Sequence, residues 1–308
     1  MQRLLVTGGA GFIGSNLTLA LQELHPAAQI VVLDDFRSGD FRNLQGFRGD
    51  FVTADISRLD WNAQFGDRTF DAIFHEASIT ETTVHDQFLQ THDNVEGFRR
   101  LLEFAKATHT PVVYASSAAS YGIGAAGAMR EEQPPTPANI YAFSKVQLDN
   151  LARLYARKHH SWKIVGLRYF NVYGPREAHK KAAASMIYQL YLQMKSGNRP
   201  RVFKHGEQRR DFVYVKDVVK MTIRALNAHK SGVYNCGSGV AFSFNEVIAE
   251  LNRNLGTKLE PDYFDNPYSF YQPHTEADLT AAKNDLKYSP EYPPAKGIAD
   301  YVSLLEGR

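Results

Sequence analysis

Tyr141 and Lys145 stand four residues apart in the run Tyr141-Ala142-Phe143-Ser144-Lys145. On a helix that spacing puts both side chains on one face. A phenol ionises near pH 10 and is a poor base at neutral pH. A neighbouring ammonium, with the positive charge of an oxidised nicotinamide, brings that pKa toward the working range. Such a pair can move a proton to and from a substrate alcohol. On its own, a tyrosine four residues before a lysine is most often a ring packed under a lysine stem. Two other features give this pair weight. Ser116 and Ser117 follow the apolar run Val112 to Tyr114, where a hydroxyl can hold the same alcohol. Near the amino terminus, Val6-Thr7-Gly8-Gly9-Ala10-Gly11-Phe12-Ile13-Gly14 satisfies both G-x-G-x-x-G and G-x-x-G-x-x-G.

The glycines answer a physical demand. A tight strand-to-helix turn needs backbone freedom, and a pyrophosphate must approach main chain that a side chain would block. The helix amino terminus then offers free N–H groups and a positive dipole end. Asp34 lies 20 residues after Gly14, at the end of the second apolar run. An acid placed there can accept from the adenosine ribose hydroxyls. Asp34 by itself favours NAD, since a carboxylate repels a 2′-phosphate. Arg37 follows three residues later and can pair with such a phosphate. The residues leave NAD and NADP both open.

These groups need a scaffold. Short, β-branched apolar runs recur at Leu4–Thr7, Ile30–Leu33, Ala72–Phe74, Val112–Tyr114 and Ile164–Leu167. They are too continuous for half-solvated strands, and longer mixed segments separate them. Buried parallel strands alternating with helices fit that rhythm. Asn94 to Thr108, for instance, places Val95, Phe98, Leu102 and Ala105 at helical spacing. Pro134, Pro135 and Pro137 break the chain between Glu131 and Asn139, just before the Tyr141 helix. The expected fold class is α/β: a Rossmann-type doubly wound parallel sheet with a smaller, mixed α/β carboxyl-terminal lobe. The dinucleotide-binding domain is expected over residues 1–168, completed by a return segment near 211–236. The substrate lobe is expected over 169–308.

Composition narrows the function classes. The 308 residues carry 35 Lys and Arg against 33 Asp and Glu, a net charge of +2. That balance gives no support for a nucleic-acid or membrane-surface binder, which needs a basic excess. The single cysteine, Cys236, excludes an internal disulfide and a thiolate metal cluster, and reads as a buried strand-end thiol. His159 and His160 diverge on any regular element, and neither H-x-x-x-H nor H-E-x-x-H occurs, so no metal site is expected. The apolar start at Leu4-Leu5-Val6 is too short for a signal-peptide core, and no run is long enough to span a bilayer. A cytoplasmic enzyme is expected.

The order of parts, glycine fingerprint, then serine, then tyrosine and lysine, resembles that of the extended short-chain dehydrogenases/reductases of the NAD-dependent epimerase/dehydratase family. The resemblance runs from end to end. It is carried by Phe74-His75-Glu76-Ala77, Tyr114-Ala115-Ser116-Ser117-Ala118-Ala119 and Arg168-Tyr169-Phe170-Asn171-Val172-Tyr173-Gly174-Pro175-Arg176-Glu177. Arg210-Asp211-Phe212-Val213-Tyr214-Val215, Tyr271-Gln272 and Thr275-Glu276-Ala277-Asp278-Leu279 extend it. Arg176-Glu177-Ala178-His179-Lys180 is similar to the segment that carries a second catalytic lysine in the heptose 6-epimerases of the family. An epimerase that oxidises a secondary alcohol must take hydride from one face and return it to the other. The ketone oxygen then needs an acid/base in each of two orientations.

On this resemblance Tyr141 and Lys180 are the two acid/base groups, Lys145 tunes Tyr141, and Ser117 holds the hydroxyl. The cofactor implied is NADP, with NAD possible, and the substrate an ADP-sugar whose heptose is epimerised at C6. Cofactor contacts are implied for Gly8, Gly11, Phe12, Ile13, Gly14, Asp34, Asp35, Arg37, Glu76, Ala77, Ser78, Asn94, Tyr141, Lys145, Val172 and Lys180. Substrate contacts are implied for Ser116, Asn171, Ala182, Gln189, Phe203, Lys204, His205, Gly206, Arg210 and Tyr271. Basic residues are dense at Arg199, Arg201, Lys204, His205, Arg209 and Arg210. An arginine fork among them suits a diphosphate. A homo-oligomer is expected, with a role in making lipopolysaccharide core heptose.

The chain departs from the heptose 6-epimerase pattern in three places. Lys181-Ala182-Ala183-Ala184-Ser185 replaces a Gly-then-Ser start, Gln189 stands where a substrate histidine is sought, and Asp35 stands where asparagine is common. A 4-epimerase stays open, because one tyrosine suffices if the sugar rotates about its diphosphate. Dehydration is disfavoured, since Ala118 and Ala119 occupy the places of the usual acid pair. A non-catalytic dinucleotide sensor would typically lack the tyrosine or lysine, and both are present.

Overall fold

The computed structural model describes residues 1–66, 68–80, 86–123, 127–265 and 272–308. Strand β1 (Arg3–Thr7) turns through the glycines into α1 (Phe12–Leu24), and β2 (Gln29–Asp34), β3 (Asp50–Thr53), α2 (Trp61–Phe65) and β4 (Ala72–His75) follow. Next come α3 (Gln87–Lys106), β5 (Val112–Ser117), α4 (Ile140–Lys158), β6 (Ile164–Tyr169) and β7 (Asn171–Tyr173). The carboxyl-terminal half supplies α5 (Met186–Lys195), β8 (Arg201–Phe203), β9 (Arg209–Tyr214), α6 (Val215–Ala225) and β10 (Gly232–Cys236). It closes with β11 (Ala241–Ser243), α7 (Phe244–Leu255), β12 (Asp262–Phe264), α8 (Thr280–Leu286) and α9 (Pro294–Leu305).

Seven parallel strands form one sheet in the order β10-β6-β5-β4-β1-β2-β3. The order reverses at β1, and the crevice beyond the strands' carboxyl ends is where such sheets bind ligands. Alternate strand residues feed two cores, as a sheet covered on both faces requires. Leu4, Val6, Phe74 and Val165 pack with Leu17 and Leu21 of α1 and Val218 of α6. Leu5, Ile73, Tyr114 and Ile164 pack on the other side with Phe98 and Leu102 of α3 and Leu148 of α4.

Three local differences from the sequence reading have plain causes. Strand β5 runs on through Ser116 and Ser117, because both pair with β6, opposite Arg168 and Tyr169. Helix α3 starts at Gln87, seven residues before Asn94, where the Asp86 side chain caps the Leu89 N–H. Strand β3 carries no apolar run: it is an edge strand with a largely solvated surface.

The second lobe holds a three-stranded sheet, β11-β9-β7, and the parallel pair β12-β8. Helix α7 opens with a reciprocal capping box between Ser243 and Glu246. Cys236 ends β10 fully buried. Among the described residues, no helix is long and apolar enough to cross a membrane.

Candidate active site

The glycine turn is a cradle that a side chain would fill. Gly8 has φ +69°, and a Cβ there would lie 2.5 Å from the Ala77 nitrogen. A Cβ on Gly14 would lie 2.1 Å from the Gly8 carbonyl oxygen, whereas one on Gly11 would meet only that oxygen, at 3.1 Å. No side chain caps the start of α1, so its first N–H groups remain available to an anion. The buried Asp34 carboxylate, at the end of β2, accepts from the N–H groups of Ala10 (2.9 Å) and Phe36 (2.8 Å). Burial raises its pKa. Gly8, Gly11, Phe12, Ile13, Gly14, Asp34, Asp35 and Arg37 all line one groove of about 1260 Å³. An uncapped helix end, a close backbone approach and an acid at the ribose position fit a dinucleotide.

The next stretch of groove is chemical. Asn139 caps the Ala142 N–H at 2.8 Å, which starts α4 so that Tyr141 lies in its first turn and Lys145 one turn on. The Ser117 hydroxyl acts on the Tyr141 phenol to lower its pKa, while Ser117 Oγ accepts from the Ala119 N–H at 3.1 Å. Lys145 is buried, donates to the Ala115 carbonyl at 2.8 Å, and places Nζ 5.8 Å from the Tyr141 ring centre. Burial brings its pKa down to about 8. The Tyr141 phenol is shifted the other way by its surroundings. Burial, with the Glu76 carboxylate, raises its pKa, and the Ser117 hydroxyl is the opposing influence. The protein's own groups hold Tyr141 protonated, poised as an acid. Burial pushes Glu76 up to about 7, against the pull of Lys145 and of the Tyr169 hydroxyl, which donates to it at 2.9 Å. Ser116 Oγ is buried on the groove wall with no hydrogen-bond partner among the described residues.

Asn94, Ala77 and Ser78 also line the groove. The Asn94 amide is already engaged: it accepts from the Ile79 N–H at 2.8 Å and donates to the Ile79 carbonyl (3.1 Å) and Ser144 Oγ (3.0 Å). It ties α3 to α4 and to the loop after β4.

The turn carrying Lys180 is built around Glu177, which is fully buried. Its carboxylate accepts from the Gly174 N–H (3.0 Å), the Ser185 N–H (2.5 Å) and Ser185 Oγ (2.9 Å). The Gln189 amide pins the same turn by donating to the carbonyls of Ala182 (3.1 Å) and Ala184 (2.7 Å). Lys180 and Ala182 thus line the groove. Lys180 Nζ lies 5.5 Å from the Phe12 ring centre, and burial lowers its pKa against the pull of Glu177.

Farther along, Asn171, Val172, Gln189, Phe203 and Arg210 line the groove, with Gln208 and Arg201. Three expected substrate contacts do not reach it. Lys204 pairs with Asp265 at 2.8 Å, His205 sets its ring edge against Tyr263, and Gly206 turns with φ +73° beside Asn245. The turn after β8 carries all three away from the wall that Phe203 forms. Of the six clustered basic residues, only Arg201 and Arg210 line the groove. Arg199 donates to the carbonyls of Glu260 and Pro261, and Arg209 pairs with Glu246 at 2.9 Å. Tyr271 lies outside the described residues.

The model of the NAD-dependent epimerase/dehydratase family matches residues 4–237. The chain belongs to that family. The ADP-L-glycero-D-manno-heptose-6-epimerase of Helicobacter pylori is 41% identical, with a TM-score of 0.92 over 100% of this chain and 97% of that one. The UDP-glucose 4-epimerase of Thermotoga maritima, solved with UDP-glucose, is 27% identical with a TM-score of 0.91, covering 99% of each chain. The UDP-glucuronic acid 4-epimerase of Bacillus cereus, solved with UDP-glucuronic acid and NAD, is 29% identical. Its TM-score is 0.84, over 99% of this chain and 100% of that one.

In this member of the epimerase/dehydratase family the sequence reading missed a buried frame behind the site. Asp149 accepts from Tyr114 Oη (3.0 Å) and from Arg168 Nε and Nη2 (3.2 and 3.1 Å). Arg168 in turn lies over the Tyr121 ring, 4.6 Å from its centre. Asp149 stands at i+4 from Lys145, a spacing that could have flagged it. Arg168 opens a quoted motif, but its place in the frame depends on the strand pairing that brings it beside Ser116. Glu177 stands inside a quoted motif, but its role depends on a turn that sequence patterns do not reveal.

Proposed function

We propose that this protein epimerises ADP-D-glycero-D-manno-heptose at C6 to the L-glycero form, by transient oxidation with a bound nicotinamide dinucleotide. The observation that carries the reading is that Tyr141 and Lys180, from α4 and from the Glu177 turn, line the same groove. When bound, the dinucleotide supplies a hydride acceptor and donor at the sugar carbon. Gly8, Gly11 and Gly14 would admit its pyrophosphate against the start of α1, and Asp34 would accept from its adenosine ribose. Tyr141, on the same groove as Ser117, holds the proton at the alcohol oxygen in one orientation of the sugar. Lys180, its pKa lowered by burial, can hold the proton in the other. Arg210 and Arg201, the latter also paired with Asp262 at 3.2 Å, line the far end of the groove and suit the substrate's diphosphate.

The 41% identity to the Helicobacter pylori heptose epimerase supports the choice of sugar, and with it a role in supplying lipopolysaccharide core heptose. The second reading, a 4-epimerase of a nucleotide hexose, is favoured by the 0.91 TM-score to the Thermotoga maritima enzyme. The test incubates the protein with ADP-D-glycero-D-manno-heptose and, separately, with UDP-glucose, and resolves the epimers by anion-exchange chromatography. Conversion of the ADP-heptose is expected, lost in Tyr141→Phe and in Lys180→Met. Conversion of UDP-glucose alone would replace the first reading by the second.

A further inference from the structure

We propose that the adenosine end of the groove selects a dinucleotide without a 2′-phosphate, because Arg37 is held in a cage of three carboxylates. The inference rests on the reading that the groove takes a nicotinamide dinucleotide. Arg37 is the one residue near Asp34 that the sequence offers as a partner for a 2′-phosphate. In the structure its Nη1 meets Asp93 at 2.5 Å, and its Nη2 meets Asp35 at 3.1 Å and Asp55 at 3.3 Å.

The cage comes from three separate places: Asp35 after β2, Asp55 after β3, and Asp93 inside α3. Each acid is also tied down. Asp55 accepts from the Ser57 N–H (2.8 Å) and Oγ (2.7 Å), and Asp35 from the Arg37 N–H (2.9 Å). Asp93 is nearly buried in α3, with the ring of His92 at 3.2 Å. Asp34 adds a fourth carboxylate on the ribose side. Among the described residues, besides Arg37, the arginine paired with the cage is Arg58, 3.6 Å from Asp55 and largely solvated.

A 2′-phosphate carries close to two negative charges at neutral pH. To meet it, Arg37 would have to leave three carboxylates, which would then repel one another and the phosphate. A ribose 2′-hydroxyl asks for none of this. It only donates to Asp34, whose oxygens each keep a lone pair beyond the backbone bond they accept.

The purified chain, freed of retained nucleotide, is titrated with NAD⁺ and with NADP⁺ by isothermal calorimetry. NAD⁺ is expected to bind at least about tenfold more tightly. Asp35→Asn removes one cage charge and loosens Arg37, so it is expected to narrow the ratio by about threefold or more. Asp55→Asn repeats the test at a second corner should the first variant fold poorly. Equal or tighter binding of NADP⁺ by the native chain overturns the inference, as does an unchanged ratio in both folded variants. If neither dinucleotide binds, the reading of the groove falls and the inference with it.

Discussion

Asp149→Ala tests the buried frame behind helix α4. Asp149 and Arg168 are 2% and 3% exposed, so neither charge can fall back on solvent. Breaking a buried pair by removing one partner costs about 3–5 kcal/mol, because the remaining charge is left uncompensated. The Tyr114 hydroxyl loses its acceptor as well, adding about 1 kcal/mol. The worked total is about 5 kcal/mol, a large share of the roughly 5–15 kcal/mol that holds a domain folded. Removing both charges together, in Asp149→Ala with Arg168→Met, should cost less than the sum of the same two single changes. The expected coupling is about 3 kcal/mol, since no orphaned charge remains. Urea unfolding of the native chain, the two singles and the double, followed by circular dichroism with the slopes compared, measures the cycle. A single-variant cost below about 1 kcal/mol, or strictly additive changes, would refute the account of an ion pair that matters through its burial.

Glu76 should give stability a pH dependence. Its pKa is raised from the ordinary 4.5 to about 7, so the folded chain keeps a proton that the unfolded chain releases. Stability therefore falls as pH rises from about 4.5 to 7, by up to about 3 kcal/mol, and is flat beyond. Glu76→Gln should melt close to the native protein at pH 5 and several degrees above it at pH 8; thermal scans at the two values decide. Gly14→Ala forces a methyl against the Gly8 carbonyl and should weaken dinucleotide binding about tenfold or more with the fold kept. Equilibrium binding and circular dichroism read the two halves of that statement. Glu177→Ala frees two buried backbone N–H groups and the Ser185 hydroxyl, and should cost about 2–4 kcal/mol. Because the same turn carries Lys180, turnover should fall by more than tenfold under conditions where melting shows the variant still folded.

Much of the amino-terminal half could be read along the chain, because its signals are local. Strands β1, β2, β4, β5 and β6 are continuous apolar runs, and burial on both faces of a parallel sheet demands such runs. Gly8, Gly11 and Gly14 stand in one turn, and Tyr141 and Lys145 share one helix face, so short-range geometry alone puts each set together. What escaped was set by distance in sequence. The fate of Arg37 depends on Asp55 and Asp93, 18 and 56 residues away, which only the packing of α3 beside β2 and β3 brings to it. A basic run after β8 looks alike on paper. In the fold, Asp265 just after β12 and Glu246 of α7 draw Lys204 and Arg209 into ion pairs off the groove wall, while Arg210 and Arg201, itself paired with Asp262 of β12, line the groove. Ionisation was likewise decided by the tertiary structure. The sequence points to Lys145 and an oxidised nicotinamide as the charges that lower the Tyr141 pKa; the chain's own packing, burial with Glu76, acts the other way, because desolvation depends on what the completed fold packs around a charge.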